Sequence, residues 1–284
     1  MGLFRRGMHF GSYTVDGPPE ALFGRIVEAA QAAEAAGFDA LSVPDHLVQN
    51  DVGGGPDRPM FEAYTMLGAL ATGTTSARLL ALVSPVTLRS PGLLAKAVTS
   101  LDVISGGRAV LGLGAGWDVA EHARYGLAFP PLAERMDRLD ETLTICRALF
   151  SQDRSTVTGV HYRLEDAPNS PRPLGPSIPI LVAGGGERRT LALVARHADA
   201  CNVFGDATTV AHKLAVLDGH CRAVGRDPAA ITRTVFMMAA DRSPDLRADL
   251  ESLRDAGVDG VVVMGTFDHA VIAGLGHVLA DVFG

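Results

Sequence analysis

Short apolar runs alternate with longer amphipathic segments along nearly the whole chain. Eight runs of four to six residues, rich in Val, Leu, Ile and Ala, predict strands. The segments between them carry apolar residues at helical spacing, as in Glu20–Ala36, Leu132–Phe150 and Thr209–Val224. Strands separated by helices pair in parallel, because each helix returns the chain to the same edge of the sheet. The predicted strands are Met8–Ser12, Ala40–Val43, Leu79–Val83, Arg108–Leu113, Ile178–Ala183, Ala200–Val203, Thr234–Met238 and Gly260–Met264.

Eight strands with intervening helices predict an α/β fold, a (β/α)8 TIM barrel that residues 1–284 form as one domain. An internal echo supports the α/β assignment. Glu34–Val43 (EAAGFDALSV) and Arg254–Val263 (RDAGVDGVVV) both combine a helix end, an Ala-Gly cap and an apolar strand. This unit occurs in many α/β proteins, so a doubly wound sheet is the competing architecture.

Two long loops rich in glycine and proline do not fit a minimal barrel. Val48–Met60 follows the second predicted strand and is either an active-site lid or a passive surface loop. Thr156–Pro179 precedes the fifth predicted strand, and a turn around Gly159–Tyr162 predicts a small hairpin within it.

Charge and cysteine content narrow the class of partner. The net charge of −7 argues against nucleic acid and against anionic membrane surfaces. Met1–Phe10 has no secretory leader pattern, and no apolar run approaches the length of a membrane span. Cys146, Cys201 and Cys221 lack metal or redox spacing, and the histidines form no HExxH pattern, so no metal site is predicted. These features indicate a cytoplasmic protein that acts on a small molecule.

The segment LDVISGGRAVLGLGAGW predicts a helix end, a buried strand and a glycine loop. Gly114, Ala115 and Gly116 follow the strand and let the backbone approach a ligand closely. Trp117 comes next, as a candidate wall of a binding site. In a barrel this loop lies at the C-terminal ends of the strands, where active sites are built. The alternative is a tight turn with no ligand.

The ends of the second and third predicted strands carry further polar candidates. His46 can donate to or accept from a cofactor ring, and Asp45 can fix the tautomer of that imidazole. A structural Asp-His turn is the alternative. Ser84 stands where a hydrogen bond to the edge of a ring would be made, unless it is a plain turn serine.

The fifth predicted strand, ILVA, runs into Gly184, Gly185 and Gly186 and then into a helix. Such a junction offers backbone N–H groups and the positive end of a helix dipole to an anion, which favours phosphate binding. Arg188 and Arg189 stand in the first turn, where the dipole disfavours cations unless one of them pairs with the phosphate. A capping turn with solvated arginines is the alternative.

Four stretches of the chain match the pattern of one known family. They are Ala32–His46 (AAEAAGFDALSVPDH), Leu82–Trp117, Phe129–Phe150 and Asn169–Asn202. Together they resemble the luciferase-like flavin superfamily, and within it the oxidoreductases that use the deazaflavin coenzyme F-420. The resemblance implies a TIM barrel with an insertion near the fifth strand. It also implies hydride transfer between the coenzyme and a small organic substrate.

The resemblance also implies roles for individual residues. His46 and Asp45 would face the deazaflavin ring and carry the catalytic chemistry. A non-proline cis peptide near Leu82-Val83 would support the ring, and Tyr13 would shape the substrate side together with Trp117. The remaining cofactor contacts implied are Ser84, Gly114, Ala115 and Gly116, and the phosphate would lie on Gly184, Gly185 and Gly186.

The chain departs from the family pattern at two places. Relatives usually have Gly-Thr where this chain has Leu80-Ala81, so one threonine contact to the cofactor is missing. The sugar-phosphate dehydrogenases of the family carry an acidic glutamate at the position of Trp117. Its replacement disfavours glucose-6-phosphate oxidation and indicates a more apolar substrate pocket.

Three other functions compete with this hypothesis. The first is a monooxygenase that uses FMN reduced by a separate flavin reductase. The second is a methyltransferase, because Val110–Gly116 resembles the glycine loop that binds S-adenosylmethionine, although Gly112 replaces the usual acidic residue. The third is a barrel that carries a deazaflavin without catalysis. The resemblance further implies a homodimer, and a separate reductase that regenerates the reduced cofactor.

Overall fold

The computed structural model of the protein describes residues 2–13, 18–50, 53–238 and 244–284. Within these ranges the chain alternates between strands and helices, as the apolar pattern predicts. The strands are β1 Arg6–His9, β2 Ala40–Val43, β3 Arg78–Ala81, β4 Ser84–Pro85, β5 Ala109–Gly114, β6 Arg154–Thr158, β7 Arg163–Pro168, β8 Ile180–Ala183, β9 Ala200–Val203, β10 Thr232–Met237 and β11 Gly260–Met264.

The helices pack around these strands, and several begin at an aspartate whose carboxylate caps the free N–H groups of the first turn. Asp206 accepts from the N–H of Thr209 at 2.8 Å, and Asp118 accepts from the N–H of Glu121 at 2.9 Å. The helices are α1 Pro19–Ala35, α2 Ala63–Gly73, α3 Pro91–Ile104, α4 Val119–Arg124, α5 Leu132–Ser151, α6 Thr190–His197, α7 Ala207–Ala223, α8 Leu246–Asp255 and α9 His269–Phe283. No helix within the described ranges is long and apolar enough to cross a membrane.

Eight parallel strands close into a barrel. They follow one another in the order β3, β2, β1, β11, β10, β9, β8 and β5, and the pairing of β3 with β5 completes the ring. The TIM-barrel prediction is therefore confirmed. The doubly wound sheet is wrong, since an open sheet would leave two of these strands without a partner on one side.

Apolar side chains fill two layers on either side of the strands. The inner layer packs residues from several strands, including Leu80, Val110 and Val262, together with Phe4, which precedes β1. The outer layer lies between strands and helices and holds most of the remaining buried residues. Leu80 therefore belongs to the packed interior of the barrel.

A small antiparallel hairpin, β6 and β7, is inserted between α5 and β8. Because β8 is the fifth strand of the barrel, the predicted insertion is confirmed. The carboxylate of Glu141 on α5 accepts hydrogen bonds from the N–H groups of Val160, His161 and Tyr162 at 2.7 to 3.2 Å. These bonds attach the turn of the hairpin to the barrel.

The predicted strand limits differ from the observed ones mainly at the ends. The third strand was expected to continue to Val83 but ends at Ala81, immediately before the Leu82-Val83 peptide bond, which is cis. The first strand covers Arg6–His9, so it begins two residues and ends three residues before its predicted limits, and its last residue pairs with Met264 of β11. The cis peptide that the family resemblance implies is confirmed.

Candidate active site

A cavity of about 980 Å³ opens at the C-terminal ends of the barrel strands, where TIM barrels build their active sites. Its size is typical of small-molecule and cofactor sites. Residues that follow or end β2, β3, β5, β8 and β9 line it, so five strand ends meet around one volume. The predicted site residues found in its wall are His46, Leu82, Val83, Gly114, Ala115, Gly116, Trp117, Gly184, Gly185 and Gly186.

His46 forms an ion pair with Glu121 of α4, a residue that the sequence reasoning missed. The Nδ1 atom of His46 lies 3.1 and 3.2 Å from the two carboxylate oxygens. The Glu121 side chain is buried and also accepts the N–H of Leu47 at 2.5 Å. An ionised carboxylate only accepts, so Nδ1 donates. Nε2 has no partner among the residues that the structure describes, and it remains available to a molecule in the cavity.

The two groups shift each other's pKa. Burial lowers the pKa of His46, but the hydrogen bond and charge of Glu121 outweigh it and raise this pKa above the ordinary 6.5. Burial raises the pKa of Glu121, whereas His46 and the N–H of Leu47 lower it below the ordinary 4.5. The pair therefore stabilises the fold fully between pH 4.5 and 6.5. This contribution is lost as the pH rises through the raised pKa or falls through the lowered one.

Trp117 forms the apolar rim of the cavity next to His46. The two rings meet edge to face, with 5.4 Å between their centroids. The Trp117 side chain is 62% exposed, and Leu132 and Phe204 line the same cavity with similar exposure. Large apolar side chains that face solvent around a cavity mark a surface for an apolar ligand.

Asp45 lies behind the cavity wall rather than at the imidazole of His46. Its carboxylate is buried and forms an ion pair with Arg89, which also binds Glu62. The expectation that Asp45 fixes the tautomer of His46 is not met, because Glu121 occupies Nδ1. Asp45 still acts on His46 through its charge, which helps to raise the pKa of the imidazole.

Ser84 and Tyr13 also lie outside the cavity wall. The Ser84 hydroxyl is buried and shares a hydrogen bond of 2.9 Å with the hydroxyl of Tyr64. Tyr13 is fully buried and packs edge to face against Phe61 at 5.5 Å. Neither side chain therefore has the cavity contact that the resemblance implied.

Positively charged side chains lie where β8 is followed by Gly184, Gly185 and Gly186. Lys213 of α7 lines the cavity there and pairs with Glu187 at 2.5 Å. Arg189 forms an ion pair with Asp137 at 2.5 Å, so its charge already has a partner within the protein. Arg188 and Arg189 both line the cavity, but no hydrogen bond or ion pair is found for Arg188 within the described part of the chain. Of the two predicted arginines, Arg188 is therefore the one placed to meet an anion.

The loop after β2 is folded on itself. Gln49 is buried and donates to the carbonyl of Pro59 at 3.2 Å, and Gly55 donates to the carbonyl of Asn50 at 2.9 Å. Residues 51 and 52 lie outside the described ranges. None of the described residues from 48 to 60 lines the cavity, so this geometry agrees with the surface-loop alternative.

His46, Asp118 and Glu121 bring their nitrogen and carboxylate oxygens within 4.8 Å of one another. Hydrogen bonds account for the contacts among these residues. Glu121 accepts from Nδ1 of His46 and from the backbone of Leu47, while Asp118 caps α4. We therefore assign no metal to this cluster.

The sequence did not predict Glu121 and Lys213, because helices supply them, whereas the signals for the site lie at the ends of strands. Glu121 stands four residues after Trp117, in the first turn of the helix that follows the glycine loop. An acidic residue at that position is usually explained by the helix dipole. Lys213 is one of only two lysines in the chain, the other being Lys96, and that scarcity was the available signal.

Comparison with known proteins agrees with this geometry. The family described as luciferase-like monooxygenase matches residues 7–277. An F-420-dependent hydroxymycolic acid dehydrogenase of Mycobacterium tuberculosis is 32% identical over 242 residues, which are 83% of this chain and 65% of that protein. An F-420-dependent glucose-6-phosphate dehydrogenase of Kineococcus radiotolerans is 35% identical over 166 residues, 57% of this chain and 47% of that protein. The match thus spans less than two thirds of either relative.

Among solved structures, an F-420-dependent secondary alcohol dehydrogenase in complex with an F-420-acetone adduct is similar over 99% of both chains. The TM-score is 0.82 and the sequence identity 17%. At this identity the likeness establishes the shared barrel and no more.

Proposed function

The chain belongs to the luciferase-like monooxygenase family, and from this premise we propose that it transfers a hydride between coenzyme F-420 and an apolar organic substrate. The observation that carries the proposal is that His46, the apolar Leu82-Val83 segment and the Gly184–Gly186 segment all line one cavity. Relatives at about 30% identity that are named as F-420-dependent dehydrogenases support the choice of cofactor. The family also leaves the methyltransferase alternative without support.

The residues of the cavity suit a deazaflavin with a phosphate-bearing tail. Leu82 and Val83 offer an apolar surface to a flat ring. A Cβ atom at Gly114 would stand 2.8 Å from the side chain of Val83, so any residue other than glycine would displace Val83 from the cavity wall. At the other end, Lys213 and Arg188 supply positive charge beside the glycines.

The bound coenzyme would supply a carbon that carries the hydride, and the protein would orient and shield it. His46 would exchange the accompanying proton at Nε2, because Nδ1 is held by Glu121. The carboxylate keeps the ring oriented and favours its protonated form. Trp117 would bind the apolar part of the substrate and exclude water from the ring.

The cofactor test is a calorimetric titration of the purified protein with coenzyme F-420 and, separately, with FMN. We expect F-420 to bind at least about tenfold more tightly, a difference of ~1.4 kcal/mol. The opposite order would contradict the proposal and support the FMN monooxygenase. Tight F-420 binding with no turnover across a panel of alcohols and carbonyl compounds would support the carrier alternative. Under the proposed function, a separate reductase would regenerate the reduced coenzyme in the cell.

Removing the amine at the phosphate end should weaken binding of the coenzyme. Lys213→Ala deletes one cation and leaves Glu187 close to the expected phosphate. We expect the Kd for F-420 to rise about tenfold at low salt, and the difference from wild type to shrink as salt is added. Lys96→Ala is the matched control, since Lys96 binds the carbonyl of Ser170 outside the cavity. Equal Kd values for both variants would contradict the assigned phosphate end.

A further inference from the structure

Asn202 on β9 has a side-chain orientation that the hydrogen bonds around it determine. Its Nδ2 lies 2.9 Å from the hydroxyl oxygen of Thr234. That hydroxyl lies 2.7 Å from the carbonyl oxygen of Cys201, to which it donates its one proton. It can therefore only accept from Asn202, which assigns the NH₂ group to Thr234. The amide oxygen, Oδ1, must face the other way.

The Oδ1 atom of Asn202 is buried and has no hydrogen-bond partner within the described part of the chain. A buried amide oxygen without a partner destabilises a protein, so such atoms usually mark a place for a ligand or water. Other buried side-chain atoms also lack partners, among them the Tyr13 hydroxyl. Of the described residues in this group, Asn202 is the one that lines the cavity.

Asn202 stands next to the glycines that we expect to hold the phosphate. Its carbonyl accepts the N–H of Gly184 at 3.0 Å, and its Cα is paired in the sheet with Ala183. Its side chain thus belongs to the same end of the cavity as Gly184 and Lys213. A group bound there through a phosphate would bring the atoms that precede the phosphate towards Oδ1.

We propose that Asn202 Oδ1 accepts a hydrogen bond from a hydroxyl of the sugar-alcohol chain that joins the ring of the cofactor to its phosphate. This inference rests on the proposed function. It assigns Asn202 a binding role that neither the glycine motifs nor the family resemblance indicates. It also predicts selectivity: a ligand that presents a hydrogen-bond acceptor at this point leaves two acceptors facing each other and binds poorly.

The test compares two variants that break the same internal hydrogen bond. Asn202→Leu removes both the bond to Thr234 and the free acceptor, whereas Thr234→Val removes the bond and keeps Oδ1. We measure the Kd of coenzyme F-420 and of FMN by calorimetry without substrate, because both carry the same sugar-alcohol phosphate. We expect Asn202→Leu to raise the Kd about three- to tenfold, the effect of one hydrogen bond, and Thr234→Val to leave it near wild type.

The outcomes separate this inference from the proposed function. Wild-type protein that binds FMN and not F-420 contradicts the proposed cofactor, while the FMN titrations still decide on Asn202. If a cofactor binds and both variants keep the wild-type Kd, Asn202 has a structural role or holds water, and the inference is wrong. A change confined to the KM of the substrate places the donor on the substrate and equally overturns the assignment. Thermal unfolding verifies both folds, and Asn202→Ala replaces the leucine variant if that one does not fold.

Discussion

His46→Ala should lower turnover about a hundredfold to ten-thousandfold while the cofactor still binds. That range is the usual contribution of a positioned general acid or base, and His46 is the half-buried imidazole in the cavity with a ring nitrogen available to a ligand. The fold should survive, because Glu121 keeps its hydrogen bond from the N–H of Leu47 after the ring is removed. The measurement is the rate of deazaflavin absorbance change at saturating cofactor, with the first alcohol or carbonyl compound that the wild type converts.

His197 provides a close control for the loss of a histidine. It pairs with Asp140 at 3.0 Å and is 19% exposed, against 18% for His46, but it lies at the end of α6 outside the cavity. His197→Ala should keep wild-type turnover at a comparable cost in stability. Wild-type turnover in His46→Ala at saturating cofactor would remove His46 from the reaction and leave it as part of the wall.

Glu121→Gln should move the pH dependence of kcat/KM to lower pH by about one unit or more. The raised pKa of His46 depends on the charge of Glu121, and an opposite charge at hydrogen-bond distance commonly contributes one to three units. The amide removes the charge but keeps an acceptor for the N–H of Leu47. The direction of the shift is the same whether His46 gives or takes the proton, because either limb of the profile follows its pKa.

The pH profile distinguishes a charge effect from a loss of structure. A variant that merely loosened the loop would lower kcat/KM at every pH without moving the inflection. Asp140→Asn, which neutralises the carboxylate beside His197, should leave the profile unchanged. An unshifted inflection in Glu121→Gln, with the wild-type inflection still above pH 6.5, would show that another group sets the pKa observed.

The barrel could be predicted because its signal is repeated along the chain. Each buried strand is a short apolar run, and the alternation with amphipathic helices constrains the pairing to parallel. The ends of the strands were predicted less accurately, because the pairing with neighbouring strands determines where a strand ends. Ala81 ends β3 although Leu82 and Val83 continue the apolar run. The apolar pattern therefore does not mark the residue at which this strand ends.

The site was predictable where backbone geometry creates it and less so where distant side chains complete it. Gly114 ends β5 and Gly184 directly follows β8, so their place in the cavity follows from the fold. The hydrogen-bond partner of His46 is Glu121, which lies 75 residues further along the chain. From the sequence, the adjacent Asp45 was the more obvious partner. Asp45 instead forms a buried ion pair with Arg89, a contact that the adjacency of Asp45 and His46 in the sequence does not indicate.

Trp117 is the single tryptophan of the chain, and it stands at the mouth of the cavity with its ring edge to face against His46. Its fluorescence therefore originates at one known point, without background from other indoles. A protonated imidazole quenches a neighbouring indole more than a neutral one does, and a deazaflavin in the cavity would absorb the emitted light. The unlabelled protein thus contains its own optical reporter, in which a pH titration follows the protonation of His46 and a ligand titration follows occupancy.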